Sequence, residues 1–169
     1  MYASQVGDRT MDVLIEILAW FHIFFAIGWI GGALLLEFAV NPSLKNLTPQ
    51  SSIEFTGKFV PRLGIFMGIF STLTVAFGPL LFFAITGWKI PMPDGGWDIV
   101  MYVGIAGAIV VYAFGILVLM PLSTKISGAY KKSSFQTLNS LIVKMRYLML
   151  VDLAGLLFVF TVMLIATFL

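Results

Sequence analysis

Four long apolar segments alternate with short polar connectors along the chain. The segments cover about residues 12–40, 59–86, 98–120 and 141–168. Each is longer than the ~20 residues that cross a bilayer as a helix. The pattern predicts an all-α, polytopic membrane protein, with residues 1–169 forming a single four-transmembrane-helix bundle.

Proline residues mark the predicted ends and bends of these helices. An Asn-Pro pair at Pro42 ends the first segment, and Pro121 ends the third. Pro79 lies inside the second segment, where it removes one backbone hydrogen bond and predicts a kink. Residues 48–54 in the first connector have the composition of a short capped helix on the surface.

Composition supports the membrane assignment. The chain is 60% hydrophobic and only 11% charged, with a mean hydropathy of +1.02, whereas soluble domains carry about a quarter charged residues. A net charge of +2 is too small to indicate nucleic-acid binding. The chain has no cysteine, which excludes disulfides, iron–sulfur clusters, thiolate metal sites and cysteine nucleophiles.

The distribution of lysine and arginine predicts the orientation. The first and third connectors with their flanks hold eight of these residues: Lys45, Lys58, Arg62, Lys125, Lys131, Lys132, Lys144 and Arg146. The rest of the chain holds two, Arg9 and Lys89. The positive-inside rule then places loops one and three in the cytoplasm and both termini outside the cytoplasmic membrane.

Small residues four positions apart predict where helix backbones approach closely. These positions are Gly28 and Gly32, Gly64 and Gly68, and Gly104 and Ala108.

His22 is the only histidine, and it lies near the bilayer centre of the first segment, two helical turns before Trp29. An ionisable side chain at this depth is expensive and is a functional-site hypothesis by default. It could ligate haem iron, ligate copper or carry a proton. Alternatively, the imidazole could bond to a backbone carbonyl or a hydroxyl of a facing helix, such as that of Ser71 or Thr72.

Asp152 is the second polar residue at membrane depth. Met149 and Met145 precede it on the same helical face, and thioethers with a carboxylate could hold a soft cation. A metal at His22 would itself need further ligands, from Asp152, from another chain or from a methionine: Met67, Met101, Met145, Met149 or Met163. The alternative for Asp152 is a structural ion pair with Arg62.

Glu37 lies close to the predicted cytoplasmic end of the first segment. A carboxylate there can pair with Arg62, Lys58 or Arg146. We interpret Glu37, like the possible pair of Asp152 and Arg62, as a structural charge that holds the bundle in register.

The first half of the chain resembles a known family. The motif consists of His22, Trp29, Gly31, Gly32, Asn41 and Pro42. It looks like the first span of the CopD-type copper-resistance membrane proteins, and Phe59 and Arg62 fit the second span more loosely. The resemblance covers about the first 85 residues. It implies copper uptake or tolerance across the cytoplasmic membrane, with His22 as the residue that carries over.

A more distant class, the membrane-embedded protoporphyrinogen oxidases, is similar in having a first-span histidine that ligates haem b. The resemblance therefore leaves the cofactor open between copper, haem b and none. Because nearly all of the chain lies in its spans, we expect a small, CopD-like, non-catalytic subunit or accessory protein. It would belong to a larger respiratory or copper-dependent oxidising membrane complex. The alternative is a stand-alone copper-handling or haem b-binding membrane protein that uses His22. The expected partners are the bilayer and other membrane subunits, with no nucleic acid.

Overall fold

Four long helices follow one another along the chain. The computed structural model describes residues 2–93, 95–132 and 134–169. The helices long and apolar enough to cross a membrane are Arg9–Leu44, Pro49–Ile85, Gly96–Lys131 and Gln136–Ala166. No strand occurs in the described ranges. The predicted all-α, four-helix membrane bundle is therefore confirmed.

Two of these long helices contain a π-helical turn. The α-helices are α1 (Tyr2–Leu35), α2 (Asn41–Leu44), α3 (Pro49–Ile85), α4 (Gly96–Phe114), α5 (Met120–Lys131) and α6 (Phe135–Ala166). The π-helical turns are π1 (Leu36–Val40) and π2 (Gly115–Leu119). The same order of elements, an α-helix, a π-turn and a shorter α-helix, thus occurs in each half of the chain.

The π-turns explain why the chain does not leave the helix at Pro42 and Pro121, where the sequence predicts an end. In π1 the Asn41 N–H donates to the Leu36 carbonyl, and in π2 the Met120 N–H donates to the Gly115 carbonyl. Each is an i to i+5 bond, which widens the backbone by one residue. Each widened turn ends immediately before an X-Pro pair, and the helix continues on the other side.

The second long helix begins ten residues earlier than the apolar segment suggests. The Thr48 hydroxyl oxygen accepts a hydrogen bond from the Ser51 N–H at 3.2 Å, as an N-cap side chain does. The capped helix predicted for residues 48–54 is therefore the first turn of α3. That helix also runs without interruption through Pro79.

Several predicted glycines bring helices together, but the predicted close approach at Gly68 is wrong, because nothing lies within 4 Å of a Cβ added there. Gly28 and Gly32 of α1 face Phe70 and Met67 of α3, and a Cβ on Gly32 would lie 2.7 Å from the Met67 sulfur. A Cβ on Gly104 of α4 would lie 2.7 Å from the methyl of Met163 in α6. Helix α1 therefore packs on α3, and α4 packs on α6.

Two clusters of buried side chains form the core. One contains Trp29, Ala33, Val111, Leu153 and Leu156. The other contains Val60, Leu122, Ile126, Leu138 and Met145. The second cluster lies toward the end of the bundle where α2 leads into α3 and α5 leads into α6. We call this the basic end, because eight of the ten lysine and arginine residues lie near it.

Candidate functional site

His22 connects α1 to α3 through a hydrogen bond to the backbone. Its Nδ1 lies 3.0 Å from the Thr74 carbonyl oxygen. Because a carbonyl can only accept, Nδ1 must be the donor, and Nε2 then carries the free lone pair. A bond to the facing helix is one of the alternatives that the sequence left open, but the acceptor is Thr74 rather than Ser71 or Thr72.

Gly78 makes this approach possible. A Cβ at position 78 would lie 2.9 Å from Cε1 of the His22 ring and 3.8 Å from its Nε2. Contacts under 3.0 Å do not occur for real Cβ atoms, so any larger residue would push the imidazole away from α3. The histidine is therefore held between two helices and not in an open chamber.

A cavity of about 60 Å³ lies nearer the basic end, between the same helices and α6. Its wall includes Trp29, Ser71 and Asp152, together with residues of both π-turns. We call it the Asp152 cavity. Its volume is enough for a few water molecules or one ion.

Asp152 is the most unusual residue of this wall. It is 6% exposed, and its Oδ1 is buried without a hydrogen-bond partner. The expected pair with Arg62 is not formed: Arg62 is exposed, and its Nη1 donates to the Lys58 carbonyl at 3.3 Å. The two residues face opposite environments, since Arg62 points out of the bundle and Asp152 points into it.

Glu37 does have partners. It lies in π1, where Asn41 Nδ2 donates to its Oε2 at 2.8 Å. Its Oε1 is 3.9 Å from Nη2 of Arg146 on α6. Of the three cations that the sequence offered, Arg146 is therefore the one that Glu37 approaches. Glu37 also lines the Asp152 cavity, so the ion pair with Arg146 lies at one side of it.

Methionine is concentrated around the same cavity. Four of the nine methionines line it: Met67, Met120, Met145 and Met149. Sixteen residues form the wall, and an even spread over 169 positions would place about one methionine among them. Met67 and Met120 come from α3 and α5, and no pattern within one segment could have connected them to Asp152.

The predicted metal ligands do not converge on one point. The structure brings Met149 and Asp152 to the same cavity, whereas His22 is not part of its wall. Within the described ranges, no three histidine, cysteine, aspartate or glutamate residues are placed to hold a metal. A site at Asp152 would therefore depend on thioether sulfur, and a site at His22 would need ligands from elsewhere.

No family model, curated protein or solved structure matches this chain.

Proposed function

We propose that this protein is a small, CopD-like, non-catalytic subunit or accessory protein of a larger membrane complex, respiratory or copper-dependent oxidising in type. In this proposal it lies in the cytoplasmic membrane with both termini outside and the basic end in the cytoplasm. The eight-to-two division of lysine and arginine supports this orientation.

One observation carries the proposal: four spans and their connectors account for the chain from Arg9 to Ala166. The first and second spans are separated only by residues 45–48. A chain built in this way meets other proteins mainly through helix faces within the bilayer, where association depends on close packing and on hydrogen bonds between helices. This geometry supports the proposal of a subunit that completes or positions a larger assembly.

Purification at the natural expression level tests the proposal. A tagged chain produced from its own locus would be cross-linked in intact membranes and, in parallel, extracted in a mild detergent without cross-linking. We expect the same integral membrane partners at a fixed ratio in both preparations. An unrelated tagged four-span protein of the same strain is the control. Recovery of a single, unaccompanied chain from both preparations would refute the subunit assignment.

A second candidate function, haem b or copper binding at His22, is favoured by the orientation of the imidazole. Its Nδ1 donates to a backbone carbonyl, which leaves Nε2 as the nitrogen able to bind a metal. Ligating histidines commonly have this arrangement, because the second hydrogen bond fixes the tautomer and the ring. Among the residues that the structure describes, no three histidine, cysteine, aspartate or glutamate residues are placed to hold a metal, so in this proposal another chain supplies the remaining ligands.

His22→Ala separates the two functions. If the histidine binds haem b or copper, the wild-type complex should show a haem absorption band or one copper per chain, and the variant should lose it. Ile23→Ala is the matched control, because Ile23 is the next residue and is 54% exposed. Equal haem and copper content in wild type and His22→Ala would exclude the cofactor role and leave the hydrogen bond as the function of this residue.

A further inference from the structure

We infer that the Asp152 cavity is a binding site for a soft monovalent metal cation. The Asp152 carboxylate would supply the charge, and the thioethers of Met145, Met149 and Met67 would supply the soft ligands. The site is separate from His22. Three of its four residues also lie beyond the first 85 positions, on which the family resemblance rests.

Asp152 is a buried carboxyl group without a partner among the described residues. Asp152 is 94% buried, given its 6% exposure, its Oδ1 has no hydrogen-bond partner, and the residue lines the cavity. A buried ionised carboxylate without a partner is strongly disfavoured, so such a group is protonated, is paired with a cation or coordinates a metal. Such a residue within a membrane span is a functional-site hypothesis by default.

The charge balance indicates a monovalent ion. The cavity wall holds two carboxylates, Glu37 and Asp152. Glu37 is already opposed by the Arg146 guanidinium at 3.9 Å and by a hydrogen bond from Asn41. Asp152 has neither kind of partner among the described residues. When the Asp152 carboxyl is ionised, its one negative charge in the low-dielectric cavity is balanced by a single positive charge.

The ligand set indicates a soft ion. Thioether ligands select soft cations such as Cu(I), whereas Mg²⁺ and Ca²⁺ require several oxygen ligands. Apart from the two carboxylates, Ser71 supplies the one side-chain oxygen among the described residues of the cavity wall, which is too few for such a shell. Four methionines place their thioether side chains on one cavity wall.

The backbone conformation around the cavity also supports a binding site. Glu37 lies in π1, and Gly115, Ile116 and Leu119 of π2 also line the cavity. Both π-turns thus meet at one place, although they are far apart in the sequence. Single π-turns inside α-helices occur frequently at functional sites. Their widened backbone leaves space that two regular helices would close.

Silver titration tests this inference. Purified protein in lipid nanodiscs, free of chloride and chelator, would be mixed with silver nitrate and desalted, and silver per chain would be measured by mass spectrometry. Ag(I) is a suitable probe because it is soft, monovalent and stable to air. We expect one tightly bound silver per chain, retained in the presence of a large excess of Na⁺ and Mg²⁺.

Two variants remove ligands with little change in volume. In Met145→Leu/Met149→Leu and in Asp152→Asn, we expect silver to bind at least about tenfold more weakly. Removing a residue that only hydrogen-bonds to a metal ligand typically lowers metal affinity about 10–100-fold, so removing a ligand itself should cost at least as much. Met163→Leu is the matched control, because Met163 lies on the same helix but packs against Gly104 and not in the cavity. Equal unfolding temperatures of the apo-proteins would show that the variants fold.

Several outcomes would overturn the inference. These are unchanged silver affinity in the double methionine variant, equal competition by Na⁺ or Mg²⁺, and loss of silver in His22→Ala but not in Asp152→Asn. None of these measurements needs partner chains. The test therefore fails or succeeds independently of whether the protein is a subunit of a larger complex.

Discussion

Gly57→Leu is expected to destabilise the bundle by about 3 kcal/mol, the largest effect among the predictions made for the apo-protein. Gly57 is buried in α3, where even a Cβ would overlap the ring of Tyr130 and come within 3.0 Å of its Cβ. The contact involves the base of the tyrosine side chain, which cannot move without moving α5. Leucine would therefore separate α3 from α5 and disturb the cluster around Ile126.

The measurement is the free energy of unfolding in lipid bicelles. Gly31→Leu is the matched control, because nothing lies within 4 Å of a Cβ added at Gly31. There we expect no loss, and a gain of up to about 1 kcal/mol is consistent with the removal of a glycine from a helix interior. Similar losses in both variants would mean that α3 and α5 do not pack as described.

Asp152→Leu is expected to stabilise the apo-protein, in contrast to Gly57→Leu, and to raise its free energy of unfolding by about 1–3 kcal/mol. The substitution removes a buried polar group that has no hydrogen-bond partner, and such groups cost about this much. The neighbouring cavity of about 60 Å³ leaves space for the larger side chain. The gain would come with the loss of cation binding, as is common where a destabilised site serves function.

Thermal unfolding without added metal tests this prediction, with Ser71→Ala as the control at the same cavity. The Ser71 hydroxyl already has a backbone acceptor, so its removal should give no gain. A lower unfolding temperature for Asp152→Leu would show that the carboxylate makes favourable interactions in the membrane. The case for a site that holds a cation would then lose its main support.

The spans could be predicted from the sequence because hydropathy over about 20 residues depends on composition and not on tertiary contacts. The close approaches at Gly28, Gly32 and Gly104 could also be predicted, since only small residues allow them. Continuation of the helices past Pro42 and Pro121 could not be predicted, because a proline in the sequence normally indicates a helix end. Whether a π-turn forms before the proline depends on the packing of the whole bundle.

The candidate site was predictable only in part. Met145, Met149 and Asp152 share one face of one helix, so their spacing alone brought them together. The position of Met67 opposite them requires the register of α3 against α6, which no local pattern contains. The register of α1 against α3 decides that His22 meets Thr74, and that of α3 against α6 decides that Asp152 does not meet Arg62.

The two π-turns also change the angular phase of the helices that contain them. Each α-helical residue advances the side-chain direction by about 100°. One additional residue in π1 and in π2 therefore rotates every position that follows relative to those before. A helical wheel drawn through residues 36–40 or 115–119 would assign the inward and lipid-facing sides wrongly from there onward. Deleting one residue within π2 would restore regular α-helix and turn Ser123 away from the Val60 carbonyl that it now contacts at 3.3 Å.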